Sequence, residues 1–265
     1  STRAAARPRR KPGRRNGKGP DRSGSRVRSP FAGAARARRS RACGYVPNRR
    51  QQLRRTSTAV LTPLYWQQAS TELALADPVL AGLVERFAGM ALVSRGDPFV
   101  TLLRSIVGQQ ISVKAADSVW ERLQAAVPEI TPANVLGSTR DGLRGCGLSA
   151  RKAEYVIDLA RHFASGQIDV ENWSRMGDGE LVAELTRVRG IGVWTAEMFL
   201  IFNQLRPDVL PLDDLGLQRA VAIHYHAGER PPRRVLVEHG ERWRPWRSVA
   251  TWYLWRSLDP LPVEY

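Results

Sequence analysis

The stretch RVRGIGVWTAEMF, residues 187–199, is the place from which the fold can be read. Gly190 and Gly192 bracket Ile191, and an apolar run carrying Trp194 begins at once. Glycine frees the backbone to take positive φ and lets another group approach where a Cβ would stand. A tight turn of this kind feeds straight into a helix N-terminus, whose unpaired N–H groups and positive dipole end favour an anion. Two readings follow: a plain helix-turn-helix corner in an all-α core, or a hairpin that offers Gly190, Ile191, Gly192, Val193 and Thr195 to a phosphate.

Outward from that turn the chain keeps a helical rhythm from about residue 64 onward, with apolar segments broken by Pro, Gly and Asp. Asp77-Pro78 opens VLAGLVERF, and Asp97-Pro98 opens FVTLLRSIVGQQ, each a cap followed by proline in the first turn. Further helices are expected over SVKAADSVWERLQAAV from Ser112, TPANVL, SARKAEYVIDLARHFASG, the Trp173 region, GELVAELTRV and VWTAEMFLIFNQ. A helix near Asp213–Asp214 and two closing segments bring the expectation to about ten helices. Alternation with period two is too brief for a sheet, and no fixed-period repeat is present, so the fold class is all-α.

The formal charge of +16 is unevenly spread. Residues 1–58 hold 19 basic side chains against one acid, Asp21, for a net +18, and the rest of the chain is −2. This Arg-rich tail lacks hydrophobic periodicity and is expected to be disordered. It reads as a polybasic arm on phosphates, an organelle transit segment, or upstream sequence without a role in the mature protein. Cys43 and Cys146 are the only cysteines, too few for a four-cysteine cluster or a secreted disulfide framework. No apolar stretch reaches the roughly 20 residues of a membrane span, so a soluble intracellular protein is expected, with no membrane partner.

The sequence LPLDDLGLQRAV follows the glycine turn by about twenty residues, placing Asp213 and Asp214 before a helix and Arg219 five residues after Asp214. One carboxylate suffices to cap that helix. Gly190-Ile191-Gly192, the apolar helix after it, and an aspartate with an arginine five positions on resemble the helix-hairpin-helix (HhH-GPD) DNA glycosylase superfamily. VGQQISVKAA (107–116), GLSARKAEYV (147–156), RGIGVWTAEMF (189–199) and RWRPWRSVATWYLWR (242–256) look like its DNA-3-methyladenine glycosylase II branch, over roughly residues 66–258.

The resemblance implies roles residue by residue. The catalytic aspartate falls on Asp214, leaving Asp213 as cap or scaffold. Breaking an N-glycosidic bond builds positive charge on the sugar, which a fixed carboxylate in a dry pocket stabilises. Bifunctional relatives carry a nucleophilic lysine where this chain has Trp194, so no imine can form there and a monofunctional enzyme is implied. Trp194, Met198, Trp255 and Trp252 are the expected base pocket, with Met198 standing where well-known members carry tyrosine. Electron-rich walls suit a cationic methylated purine, at about 0.5–2 kcal/mol per contact.

Gln109 or Gln110 would fill the gap left by the flipped nucleotide, with the choice between them open. Arg151 and Lys152 are expected at phosphates or as a solvated pair. The four histidines suggest no metal site, and no cofactor is required. The family hairpin often holds sodium or potassium on backbone carbonyls, here those of Thr186, Val188 and Ile191.

The expected protein is a monomer of two helical domains, residues 64–98 plus 211–265 and residues 99–210, with the flipped base received in the cleft between them. It would act on duplex DNA containing damaged bases, in the cytoplasm or nucleoid of a bacterium or the nucleus of a eukaryote. The alternatives are a glycosylase for another damaged base and a non-catalytic helix-hairpin-helix binder of DNA.

Overall fold

In a computed structural model, residues 62–258 are described, and the expectations for residues 1–58 lie outside them. Side-chain caps set most of the helix starts. Asp77 accepts from the Val79 and Leu80 amides at 2.9 and 3.2 Å, starting α2 (Pro78–Arg86) after α1 (Trp66–Ala76). Asp97 opens α3 (Pro98–Gly108), Ser112 opens α4 (Val113–Ala126), Thr131 opens α5 (Pro132–Gly137) and Thr139 opens α6 (Arg140–Gly145). Ser149 opens α7 (Ala150–Ala164). Each such cap contributes about 1 kcal/mol.

After a short 3-10 turn at Trp173–Arg175 comes α8 (Asp178–Leu185), where Glu180 reaches back to the Gly177 amide at 2.8 Å. The last four helices are α9 (Val193–Phe202), α10 (Leu215–Tyr225), α11 (Arg233–Arg242) and α12 (Arg247–Leu258). Among the described residues there are twelve α-helices and no strand, so the fold is all-α.

Two helices were not expected from the sequence. Helix α1 starts from Tyr65, which supplies no side-chain cap, and the six residues of α6 include Gly142 and Gly145. The end of α3 also differs from expectation: the helix stops at Gly108, and Gln109 and Gln110 form a turn instead of continuing it.

The described residues belong to one compact unit, within which the helices pack in two lobes. Helices α1, α2, α10 and α12 pack together, while α7 gathers α3, α5 and α6, α4 packs on α3, and α9 joins α8 to α3. The second lobe has an edge-to-face chain of rings, Phe99 to Phe163 to Trp173 to Phe199, with centroids 5.2–6.4 Å apart. In the first lobe Trp66 meets Trp252 at 5.0 Å. Asp214, immediately before α10, stands where an α9 side chain and an α12 side chain converge.

Candidate active site

The Asp214 carboxylate is only 8% exposed and is held by donors from three elements. Oδ1 accepts the Leu217 amide at 2.6 Å and the Trp255 indole N–H at 2.8 Å. Oδ2 accepts the Trp194 indole N–H at 2.9 Å. Asp214 therefore caps α10 and is also clamped by α9 and α12. The division of labour expected from the Asp213-Asp214 pair is corrected here: Asp213 caps nothing, is exposed, and pairs with Arg233. One carboxylate has lone pairs enough for both tasks, because the cap and one indole share Oδ1 and only one donor reaches Oδ2.

Trp194 is 44% exposed, whereas Trp255 stacks on Phe202 with centroids 5.5 Å apart and planes 13° off parallel. Arg95 lies over the Phe202 ring at 4.2 Å. The stack steadies the Trp255 indole that reaches Asp214, so a half-buried ring supports the carboxylate at one remove. Met198 is half-buried against the core on the same helix as Trp194.

Trp252 does not join this group. It is buried among Trp66 and Tyr253, each with its ring centroid 5.0 Å away, and Arg256 lies over its ring. The three-residue step back from Trp255 along α12 turns its ring into the α1 side of the lobe, so this expected pocket wall is a core residue.

Two further residues of the site escaped the sequence reading. Gly216 lets the clamp close tightly: a Cβ there would stand 3.1 Å from both Asp214 Oδ1 and Trp255 Cδ1, so one of them would have to give by a few tenths of an ångström. Its signal was a glycine in the first turn of a helix, a place propensity disfavours. Glu197 lies one turn beyond Trp194, half-buried, a lone carboxyl in the apolar run VWTAEMFLIF. Burial pushes it up to about 7, with Asp213 and then Asp214 adding to the rise and Arg233 opposing it.

At the glycine turn the two glycines differ. Gly190 has φ +89°, and a Cβ would fall 2.2 Å from the Tyr155 ring. Gly192 is extended, at φ −94° and ψ 173°, and a Cβ there would meet nothing within 4 Å. The expectation that both need special backbone freedom holds for Gly190 alone. Gly192 is the N-cap of α9 and has no side chain to accept the first amides of that helix. Val193 is exposed and Thr195 is buried.

The Gln109-Gln110 turn sits against this hairpin. Gln109 Nε2 donates to the Gly190 carbonyl at 2.8 Å. Gln110 is exposed at φ +58°, and Arg151 is exposed. Lys152 is half-buried and turned inward: its Nζ donates to the Val107 and Gln109 carbonyls at 2.7 and 2.6 Å, and desolvation lowers its pKa. The sequence motifs thus form two sets, Asp214 with Trp194 and Trp255, and Gly190 with Gln109 and Lys152, joined by the start of α9. Among the described residues no three His, Cys, Asp or Glu side chains gather at metal-binding distance.

This geometry can be set beside known proteins. The family model for HhH-GPD superfamily base excision DNA repair proteins matches residues 103–245. A crystal structure of DNA-3-methyladenine glycosidase from Bacillus halodurans is 35% identical, with TM-score 0.67, covering 74% of this chain and 92% of that one. The 3-methyladenine DNA glycosylase Mag1 of fission yeast, solved in complex with abasic DNA, is 30% identical with TM-score 0.63, covering 74% and 98%. The Bacillus subtilis protein YfjP is 32% identical over 68% of this chain, which spans 66% of that relative's length. The chain belongs to the HhH-GPD superfamily of base excision DNA repair proteins, within the branch of the DNA-3-methyladenine glycosylases.

Proposed function

We propose that the protein is a monofunctional DNA glycosylase that hydrolyses the N-glycosidic bond of alkylated purines of the 3-methyladenine type, taking the flipped nucleotide from duplex DNA. The observation that carries this is the clamped Asp214 carboxylate, with both oxygens fixed by hydrogen bonds beside the half-exposed Trp194 ring. As the base departs with the bonding electrons, the sugar develops oxocarbenium character. A carboxylate already oriented for that charge stabilises it without reorganising, and the lone pair left on Oδ2 orients the attacking water. The Trp194 face attracts a cationic methylated purine. An indole N–H is not a nucleophile, so no Schiff base forms and the strand stays intact.

The hairpin supplies the grip. The first amides of α9 await an acceptor, and the missing side chain at Gly192 leaves room for a phosphate oxygen to reach them. Of the two candidates for the space vacated by the base, exposed Gln110 fits the role, because the Gln109 amide is committed to Gly190. A sodium or potassium ion on the carbonyls of Thr186, Val188 and Ile191 would stiffen this hairpin. The Val188 oxygen accepts the Ile191 amide at 3.1 Å and retains a second lone pair for it.

The test is single-turnover release of base from methylated duplex. Wild type should free 3-methyladenine and leave an abasic site that breaks only on later alkali treatment, and Asp214→Asn should abolish release. Binding without release would establish the non-catalytic alternative. Strand cleavage without alkali would overturn the monofunctional reading, and preferential release of a deaminated or oxidised base would overturn the substrate class. No helix of the described residues is long and apolar enough to cross a membrane.

A further inference from the structure

Helix α7 presents Lys152, Tyr155 and Asp158 at successive steps of three residues, and between them they meet two loops, Lys152 the turn after α3 and the other two the glycine turn. Lys152 Nζ bonds the carbonyls of Val107 and Gln109, at the end of α3 and in the turn after it, at 2.7 and 2.6 Å. The Tyr155 ring fills the space a Cβ at Gly190 would need. Asp158 Oδ2 accepts the Arg189 amide at 2.9 Å. The two loops are also tied directly, by Gln109 Nε2 on the Gly190 carbonyl at 2.8 Å. Gln110, next in the chain, is left exposed in the left-handed region at φ +58°.

We propose that Lys152 and Gln109 are positioning residues that bolt the Gln110 turn to the phosphate-holding hairpin, so that gripping the backbone and placing Gln110 in the helix stack are one rigid event. The inference rests on the proposed glycosylase reading, with Gln110 as the wedge. Two carbonyl oxygens that converge on one point repel unless a cation lies between them. The half-buried ammonium of Lys152 does this, and charge-assisted bonds of that kind are about twice as strong as neutral ones. A loop carrying a non-glycine residue at positive φ relaxes readily if its flanks are released, and Gln110 would then miss the stack.

Lys152→Met keeps the aliphatic stem and removes the ammonium. Single-turnover release from duplex with the lesion paired should slow about tenfold, and release from duplex with the lesion opposite an abasic site should change less than about twofold, because flipping there costs little. A purely structural loss would depress both substrates together, and a thermal melt reports it separately. Lys152→Arg should recover most of the rate. Fluorescence of 2-aminopurine placed beside the lesion should show reduced unstacking in Lys152→Met.

The decisive comparison is with Gln110→Gly. If Lys152 acts through Gln110, the double variant is no slower than Gln110→Gly alone. Multiplying effects, or equal slowing of both substrates, would overturn the proposal while leaving the wedge reading intact. If Gln110→Gly itself releases base at the wild-type rate from the paired duplex, the wedge reading falls and the positioning role falls with it.

Discussion

The Asp214 clamp and the hairpin edge are built by opposite means. At the clamp, side chains supply the donors: two indoles and one amide converge on a carboxylate that is 8% exposed. At the hairpin, backbone does the work, and what matters is side chain removed: none at Gly190, where Tyr155 would collide, and none at Gly192, where nothing in the protein stands in the way. A site for chemistry needs preorganised charge in a sheltered place, so it draws on large residues from several helices. A site for gripping phosphate, the role proposed for the hairpin, needs bare amides at the surface, so it is made by subtraction. The difference also explains how residues 59–265, with net charge −2, can serve a polyanion.

The strongest way to break the contrast is at the carboxylate. Asp214→Asn keeps shape and cap but removes charge, and single-turnover release should fall about a thousandfold or more while DNA affinity stays within a few-fold. Next come the indoles, which should not be equivalent. Oδ2 has Trp194 as its single donor, while Oδ1 keeps the Leu217 amide if Trp255 is lost. Trp194→Phe should therefore slow release about thirtyfold and Trp255→Phe only about threefold, the larger loss matching one hydrogen bond to a charged group. Equal effects would mean that the rings act as pocket walls alone and that their N–H groups are incidental.

The glycines sharpen the other half. Gly190→Ala forces a Cβ into the Tyr155 ring at a positive φ and should destabilise the fold by about 2–3 kcal/mol, seen in a urea melt. Gly192→Ala should leave the melt within about 0.5 kcal/mol of wild type, because its backbone is ordinary and its Cβ meets only open space. The same variant should weaken binding to undamaged duplex several-fold at fixed salt. A destabilised Gly192→Ala would show that the second glycine serves the fold and not the ligand.

How much of this was legible in the sequence followed the same division. The helices with a side-chain cap and an apolar stripe were readable, and α1 was missed because Tyr65 caps nothing. The glycine turn was readable from residue type and spacing, and the structure brings together Asp214 and Trp194, which the resemblance had singled out. What the sequence could not carry was direction. Trp252 and Trp255 are alike as letters and lie on the same helix, yet one enters the core and the other reaches Asp214. Lys152 reads as a phosphate contact until its Nζ is seen between two carbonyls 45 and 43 residues away in the chain. Gly216 and Glu197 owe their importance to neighbours on other segments, which no local pattern encodes.

The smallest effect expected is at Glu197, and it bears on whether the clamp's surroundings are tuned for chemistry at a cost in stability. Its ordinary value of 4.5 is raised to about 7, first by burial and then by Asp213 and Asp214, with Arg233 opposing. A carboxyl with a raised folded pKa binds its proton more tightly in the native state than in the unfolded chain. Its contribution is fully present below pH 4.5 and is lost as pH rises through about 7, where charge is forced into the half-buried site. Glu197→Gln cannot ionise, so it should match wild type near pH 4.5 and exceed it at pH 8. With solvent screening part of the shift, the gain at pH 8 is about 1 kcal/mol, or about 3 °C in the melting temperature. A gain that does not vary between those two pH values would assign the change to packing. A loss at pH 8 would mean that the ionised carboxylate is held by a favourable interaction, with Arg233 outweighing Asp213 and Asp214.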